Sequence, residues 1–96
     1  MKYAAIIEYL QDPSVVEPNR PTHRAYLTEL LNKGQLFGSG PFADGTGALI
    51  IYETDTPEQA EALLKNDPFH AAGVFLKWQI RPWKMLFANP KLLPSV

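Results

Sequence analysis

Two short segments hold most of this chain's capacity for chemistry. Arg20-Pro21-Thr22-His23-Arg24-Ala25-Tyr26-Leu27 carries one of only two histidines, and Asn66-Asp67-Pro68-Phe69 carries an aspartate ahead of a helix-breaking proline. An imidazole exchanges protons near neutral pH, and a carboxylate bonded to one ring nitrogen orients the ring and stabilises the imidazolium. Brought together by folding, His23 and Asp67 form a general acid/base pair. Arg20, just ahead of His23, supplies a cation where negative charge develops. Ser39-Gly40-Pro41 closes an apolar run. Glycine there lets a ligand approach the backbone closely, and Ser39 offers a hydrogen bond rather than a nucleophile. Phe69 adds an apolar wall. The candidate site is therefore His23 and Asp67 as catalytic groups, with Arg20, Ser39, Gly40, Pro41 and Phe69 as binding groups.

Each of these residues has a plainer alternative. Tyr26, Leu27, Leu30 and Leu31 follow His23 at helical spacing, which puts the imidazole on the apolar stripe and turns it toward the interior. A core histidine satisfied by one hydrogen bond has the same pattern. Asp before Pro is a common turn device whose carboxylate bonds nearby backbone N–H groups. Arg24 reads as part of a solvated face, Phe69 as core, and Trp78 and Trp83 as core and interface residues. His70 reads as a surface residue. His23, His70, Asp67 and Glu8 show no metal-ligand spacing of the H-x-x-x-H kind, so no metal and no organic cofactor are expected.

Composition narrows the classes. The chain has 96 residues, of which 46% are hydrophobic. That length suits one domain with one core, here expected over residues 1–96 with the core at 2–87 and an extension at 88–96. So short a chain leaves much surface, and self-association is a common remedy. Nine basic against ten acidic residues give a net charge of −1, which argues against a nucleic-acid or anionic-membrane partner. There is no cysteine, which excludes disulfides and thiolate chemistry. No apolar run reaches the roughly 18 residues that suggest a membrane span. Met1 to Glu8 meets a charge too early for a signal peptide, so a cytoplasmic location is the expectation.

The elements that must position these groups follow from periodicity. Tyr3 to Leu10 is apolar almost throughout and reads as a strand buried on both faces. Gln11 to Asn19 contains two prolines and reads as a loop. Pro21 fits a helical first turn, and Gly34 supplies the stop. Leu36 to Pro41 and Ala48 to Glu53 read as strands joined by a turn at Asp44-Gly45-Thr46-Gly47. Thr56-Pro57-Glu58-Gln59 has the capping-box pattern and opens a second helix that Pro68 ends. In the last strand Val74, Leu76, Trp78 and Ile80 alternate with Phe75, Lys77 and Gln79. Arg81 to Phe87 continue it, with Pro82 at a bulge or edge.

The order β-α-β-β-α-β is the ferredoxin-like arrangement, an α+β fold with both helices on one face of a four-stranded antiparallel sheet. The other face would expose a large apolar patch. A second copy packed sheet to sheet covers it most simply, and the tail Leu92-Leu93-Pro94-Ser95-Val96 is apolar enough to reach that partner.

Arg20-Pro21-x-His23-x-x-Tyr26-Leu27, Gly38-Ser39-Gly40-Pro41, Asp67-Pro68-Phe69 and Ile80-Arg81-Pro82-Trp83, in that order, resemble the YCII-related (YciI-like) family. The resemblance runs from Tyr3 to about Trp83. It implies a dimeric α+β barrel of two ferredoxin-like units with facing sheets. It also implies a site centred on His23 and Asp67. Most members of that family have no established reaction. One related class removes HCl from a chlorinated hydroxyhydroquinone, and the wider superfamily includes lactone isomerases and small monooxygenases.

Two functional classes follow. One is a small cofactor-free enzyme using the His–Asp pair on a small cyclic or aromatic substrate, by isomerisation, elimination or dehydrochlorination. The other is a non-catalytic dimeric module that holds a small ligand in the same pocket. An RRM-like role carries little weight, because the basic, aromatic RNP1 pattern is absent.

Overall fold

The structure, a computed structural model, describes residues 1–94. Strands β1 (Lys2–Tyr9), β2 (Leu36–Pro41), β3 (Gly47–Glu53) and β4 (Phe75–Trp83) form one antiparallel sheet in the order β2-β3-β1-β4. Helices α1 (Pro13–Asn32), α2 (Pro57–Lys65) and the single turn α3 (Pro68–Ala71) complete the fold, with a short 3-10 turn at Pro90–Leu92. This is the expected β-α-β-β-α-β order with one helical turn added before β4.

Four departures from the sequence reading have physical reasons. First, Gln11 to Asn19 is mostly helix. The Asp12 carboxylate accepts from the Ser14 N–H at 3.0 Å and caps α1, Pro13 occupies the first turn, and Pro18 and Pro21 lie inside the helix. Each internal proline deletes one backbone hydrogen bond. Both prolines are exposed to water, while buried Val16 and half-buried Val15 anchor the same turns to the core. Packing thus overrides the local proline signal.

Second, β1 is not buried on both faces within this chain. Tyr3, Ala5, Ile7 and Tyr9 are buried, whereas Ile6 on the opposite face is 41% exposed. Third, Leu76 does not point inward with Val74. A register shift between Glu8 and Tyr9 pairs Tyr9 with Phe75 but Glu8 with Lys77. The added residue, Leu76, is turned out and 52% exposed, and Phe75 takes the inward place. Fourth, β4 ends at Trp83 rather than running to Phe87. Leu86, Phe87, Leu92 and Leu93 are exposed. The expected reach of the tail to a partner falls partly on Ser95 and Val96, which lie outside the described residues.

Two glycines are required by the backbone. Gly34 follows α1 with a φ of 74°, and the Gln35 N–H returns to the Leu30 carbonyl at 2.9 Å, closing the helix. Gly47 lies opposite Glu8 where a Cβ would overlap the Ile7 carbonyl oxygen. The core lies between the helices and one sheet face and includes Ile7, Ile50, Tyr52, Leu64, Phe69 and Val74. No helix among the described residues is long and apolar enough to cross a membrane.

Candidate functional site

The pair that chain order alone could not join is joined. His23, two turns or more inside α1, presents Nδ1 at 2.8 Å and 2.9 Å from the two carboxylate oxygens of Asp67. Asp67 is 0% exposed and His23 is 6% exposed. Asp67 is also the cap of α3, where Oδ1 accepts the Phe69 N–H at 2.9 Å. The turn reading of Asp67 holds, and the same carboxylate also meets the imidazole. Pro68 fixes the first position of α3, so the same local chemistry that starts the helical turn aims the carboxylate at α1.

Aromatic rings hold the imidazole from behind. Phe69 stacks under it at 3.9 Å between centroids and 8° between planes, and Phe75 stands perpendicular to it at 6.1 Å between centroids. Phe69 is fully buried and does not line the recess described below. Its place is under the catalytic candidate, not against a ligand. The Tyr26 hydroxyl donates to the Leu63 carbonyl at 2.7 Å and ties α1 to α2. Burial, with the Asp67 charge adding to it, pushes that phenol up to about 12.

His23 opens on a recess of roughly 170 Å³ between α1 and the β2 edge. Arg20, Ser39, Gly40 and Pro41 line it, as expected, together with Tyr9, Arg24 and Leu27. Register explains the strand residues. Ser39 pairs with Ile50 and Pro41 with Ala48, so both side chains share the face on which Ile50 and Ala48 are buried beneath α1. Arg24 is exposed, as the solvated-face reading has it, and also borders the recess. Arg20 bonds Glu17 through two contacts at 3.0 Å and 3.4 Å, which lowers the Glu17 carboxyl and raises the guanidinium.

With Nδ1 donating to Asp67, the remaining nitrogen, Nε2, has no protein partner among the described residues. The arrangement can take a proton from a bound molecule at Nε2 while a buried carboxylate steadies the cation that results. His70 is half-buried rather than a free surface residue, its ring centroid 5.3 Å from that of Trp78 at a steep angle. Among the described residues, no three His, Cys, Asp or Glu side chains group in a way that could hold a metal ion.

Comparison with known proteins decides the lineage. The YCII-related domain matches residues 1–84. The chain belongs to the YCII family. Protein YciI from Escherichia coli O6:H1 is 35% identical over 78 residues, spanning 71% of this chain and 80% of that protein. The uncharacterized protein YjpA of Bacillus subtilis is 33% identical over 63 residues, spanning 66% and 73%. Among solved structures, this YCII chain is similar to 5-chloro-2-hydroxyhydroquinone dehydrochlorinase (TftG) from Burkholderia phenoliruptrix AC1100. That structure, a complex with 2,5-dihydroxybenzoquinone, has a TM-score of 0.75 and 26% identity, and the match covers 88% of this chain and 94% of that one.

Sequence reasoning did not place Tyr9 or Leu27 among the site residues. Tyr9 was visible in principle. It is in phase with Tyr3, Ala5 and Ile7 along β1, so its phenol ends the strand's inward row on the side His23 occupies.

Proposed function

We propose that this protein is a small acid/base enzyme that acts on a small cyclic or aromatic compound bearing an acidic hydroxyl. The carrying observation is the His23 imidazole, fixed at Nδ1 by both oxygens of a fully buried Asp67 and open at its other nitrogen. Nε2 removes a proton from the substrate. In an elimination the C–H electron pair becomes the new π bond, the C–X bond breaks, and X⁻ leaves with its pair. The imidazolium, held by Asp67, then gives its proton to solvent. Arg20 and Arg24 face the negative charge that develops. Ser39 and the Gly40 backbone border the bound ring. The step needs only side chains and water. The likeness to a dehydrochlorinase supports this class of chemistry.

The working form in this reading is a homodimer. Ile6 and Leu49 pair across β1 and β3 on the sheet face away from the helices, and both are partly exposed in one protomer. A second copy laid against that face removes this apolar surface from water.

The test is an NMR screen of the two histidine rings against small lactones, plain and chlorinated hydroquinones, 2,5-dihydroxybenzoquinone and short carboxylic acids. The expected result is a compound that shifts His23 and not His70, and is turned over by the native protein but not by His23→Ala. Saturable binding with the compound recovered unchanged would make the protein a ligand-binding module instead.

A further inference from the structure

Tyr9 is the polar group of the recess that the acid/base reading leaves without work. Its side chain lines the cavity beside His23, yet the residue is only 5% exposed. The hydroxyl has no hydrogen-bond partner among the described residues. It is also not sealed in the core, in contrast to the Tyr52 hydroxyl, which is buried without a partner. A phenol with an unused donor that opens on a cavity is placed to bond whatever fills that cavity.

The position is built. The register shift in the β1–β4 pairing turns Leu76 out and sets Phe75 opposite Tyr9, while Tyr9 keeps the inward phase of β1. The Tyr9 N–H donates to the Thr46 carbonyl at 2.8 Å, and the Gln11 side chain donates to the Tyr9 carbonyl at 3.0 Å, so the backbone is held on both sides of the ring. Phe69 meets the Tyr9 ring edge-on at 5.6 Å, and Phe75 stacks beside it at 6.1 Å. These are the same two phenyl rings that hold the His23 imidazole. Histidine and tyrosine therefore share one aromatic seat and open on one recess.

Resting on the acid/base reading above, we propose that Tyr9 is a further catalytic residue, whose neutral hydroxyl donates a hydrogen bond to an anionic ring oxygen of the substrate while His23 Nε2 faces the proton to be moved. Burial and the nearby Asp67 charge raise the phenol above its ordinary range, and Arg20 and Arg24 oppose them. It thus stays a donor at neutral pH. A hydrogen bond from a fixed, partly desolvated donor to an anionic oxygen is stronger than a neutral one.

The test uses 2,5-dihydroxybenzoquinone, an acidic ring dihydroxyl, titrated into the native protein and into Tyr9→Phe, with the His23 ring signals and the ligand's visible absorbance as readouts. Tyr9→Phe keeps both aromatic contacts and removes only the oxygen. The expected result is that the ligand shifts His23 in both proteins and binds Tyr9→Phe about tenfold more weakly, the equivalent of about 1.4 kcal/mol, with a changed absorbance of the bound ligand. Equal affinity and an identical bound spectrum in the two proteins would overturn the role of Tyr9 and leave the His23 site standing. No shift of His23 in the native protein at millimolar ligand would overturn both.

Discussion

The His23 Nδ1 sits within 2.9 Å of both carboxylate oxygens of Asp67, a residue 44 positions further along the chain. The carboxylate cannot turn away, because the Phe69 N–H holds one of its oxygens, and the ring cannot tilt, because Phe69 lies flat beneath it. One short helical turn and its cap thus supply the carboxylate and the platform that hold the imidazole.

That dual role separates stability from turnover. Asp67→Ala removes a helix cap, worth about 1 kcal/mol, and leaves a buried imidazole N–H unpaired, at about 1–3 kcal/mol. Urea denaturation should therefore show a loss of roughly 2–4 kcal/mol. Asp67→Asn keeps a capping oxygen and should lose much less stability, yet turnover of a confirmed substrate should fall on the order of 10²- to 10⁴-fold. Full turnover in a folded Asp67→Asn protein would remove Asp67 from the mechanism.

Gly47→Ala should damage the sheet that carries the site. The new methyl meets the Ile7 carbonyl at the β1–β3 pairing. A cost of about 1–3 kcal/mol or more is expected from overpacking against backbone. Thermal unfolding measures it, and an unchanged midpoint would mean that the two strands are not so close.

Ile6→Glu tests the second copy. Ile6 is already 41% exposed in one protomer, so its replacement should leave the protomer folded. A charge placed on the buried sheet face of a dimer is strongly unfavourable. Sedimentation velocity should show a dimer for the native protein and a folded monomer for the variant. A native monomer at micromolar concentration would contradict the pairing.

Alkaline titration should find Tyr9, Tyr26 and Tyr52 late. Burial raises Tyr9, Tyr26 and Tyr52, and takes Tyr26 from an ordinary value of 10.0 to about 12. A phenol raised in the folded state contributes stability that is fully present below pH 10 and is lost as pH rises through about 12. Tyrosinate absorbance should therefore lag behind that of free tyrosine and appear together with loss of folded-state circular dichroism. The step near pH 12 should be missing in Tyr26→Phe. Ionisation of every tyrosine near pH 10 in a folded protein would contradict it.

What was legible in the sequence was mostly what local chemistry decides. The capping box at Thr56 and Gln59, the stop at Gly34 and the inward phase of His23 all appear as read. The proline-rich opening of α1 was misread because its helicity depends on the packing of Val15 and Val16, which no local pattern reveals. Leu76 was misplaced because a bulge is a property of a strand pair, and β4 alone shows only clean alternation. At the site, Arg20, Ser39, Gly40 and Pro41 were legible as a set through the family motifs. The places of Arg24 and Tyr9 at the recess were not, since they follow from which elements face it. Phe69 was legible as important, but its place beneath the imidazole needed the geometry.

The central claim is that Asp67 fixes the His23 tautomer so that Nε2 is the free base. Long-range ¹H–¹⁵N NMR of the histidine rings at mildly alkaline pH measures this directly. The account predicts that neutral His23 carries its proton on Nδ1, with Nε2 bare and shifting when 2,5-dihydroxybenzoquinone enters the recess. A neutral His23 protonated on Nε2, unmoved by that ligand, would contradict it.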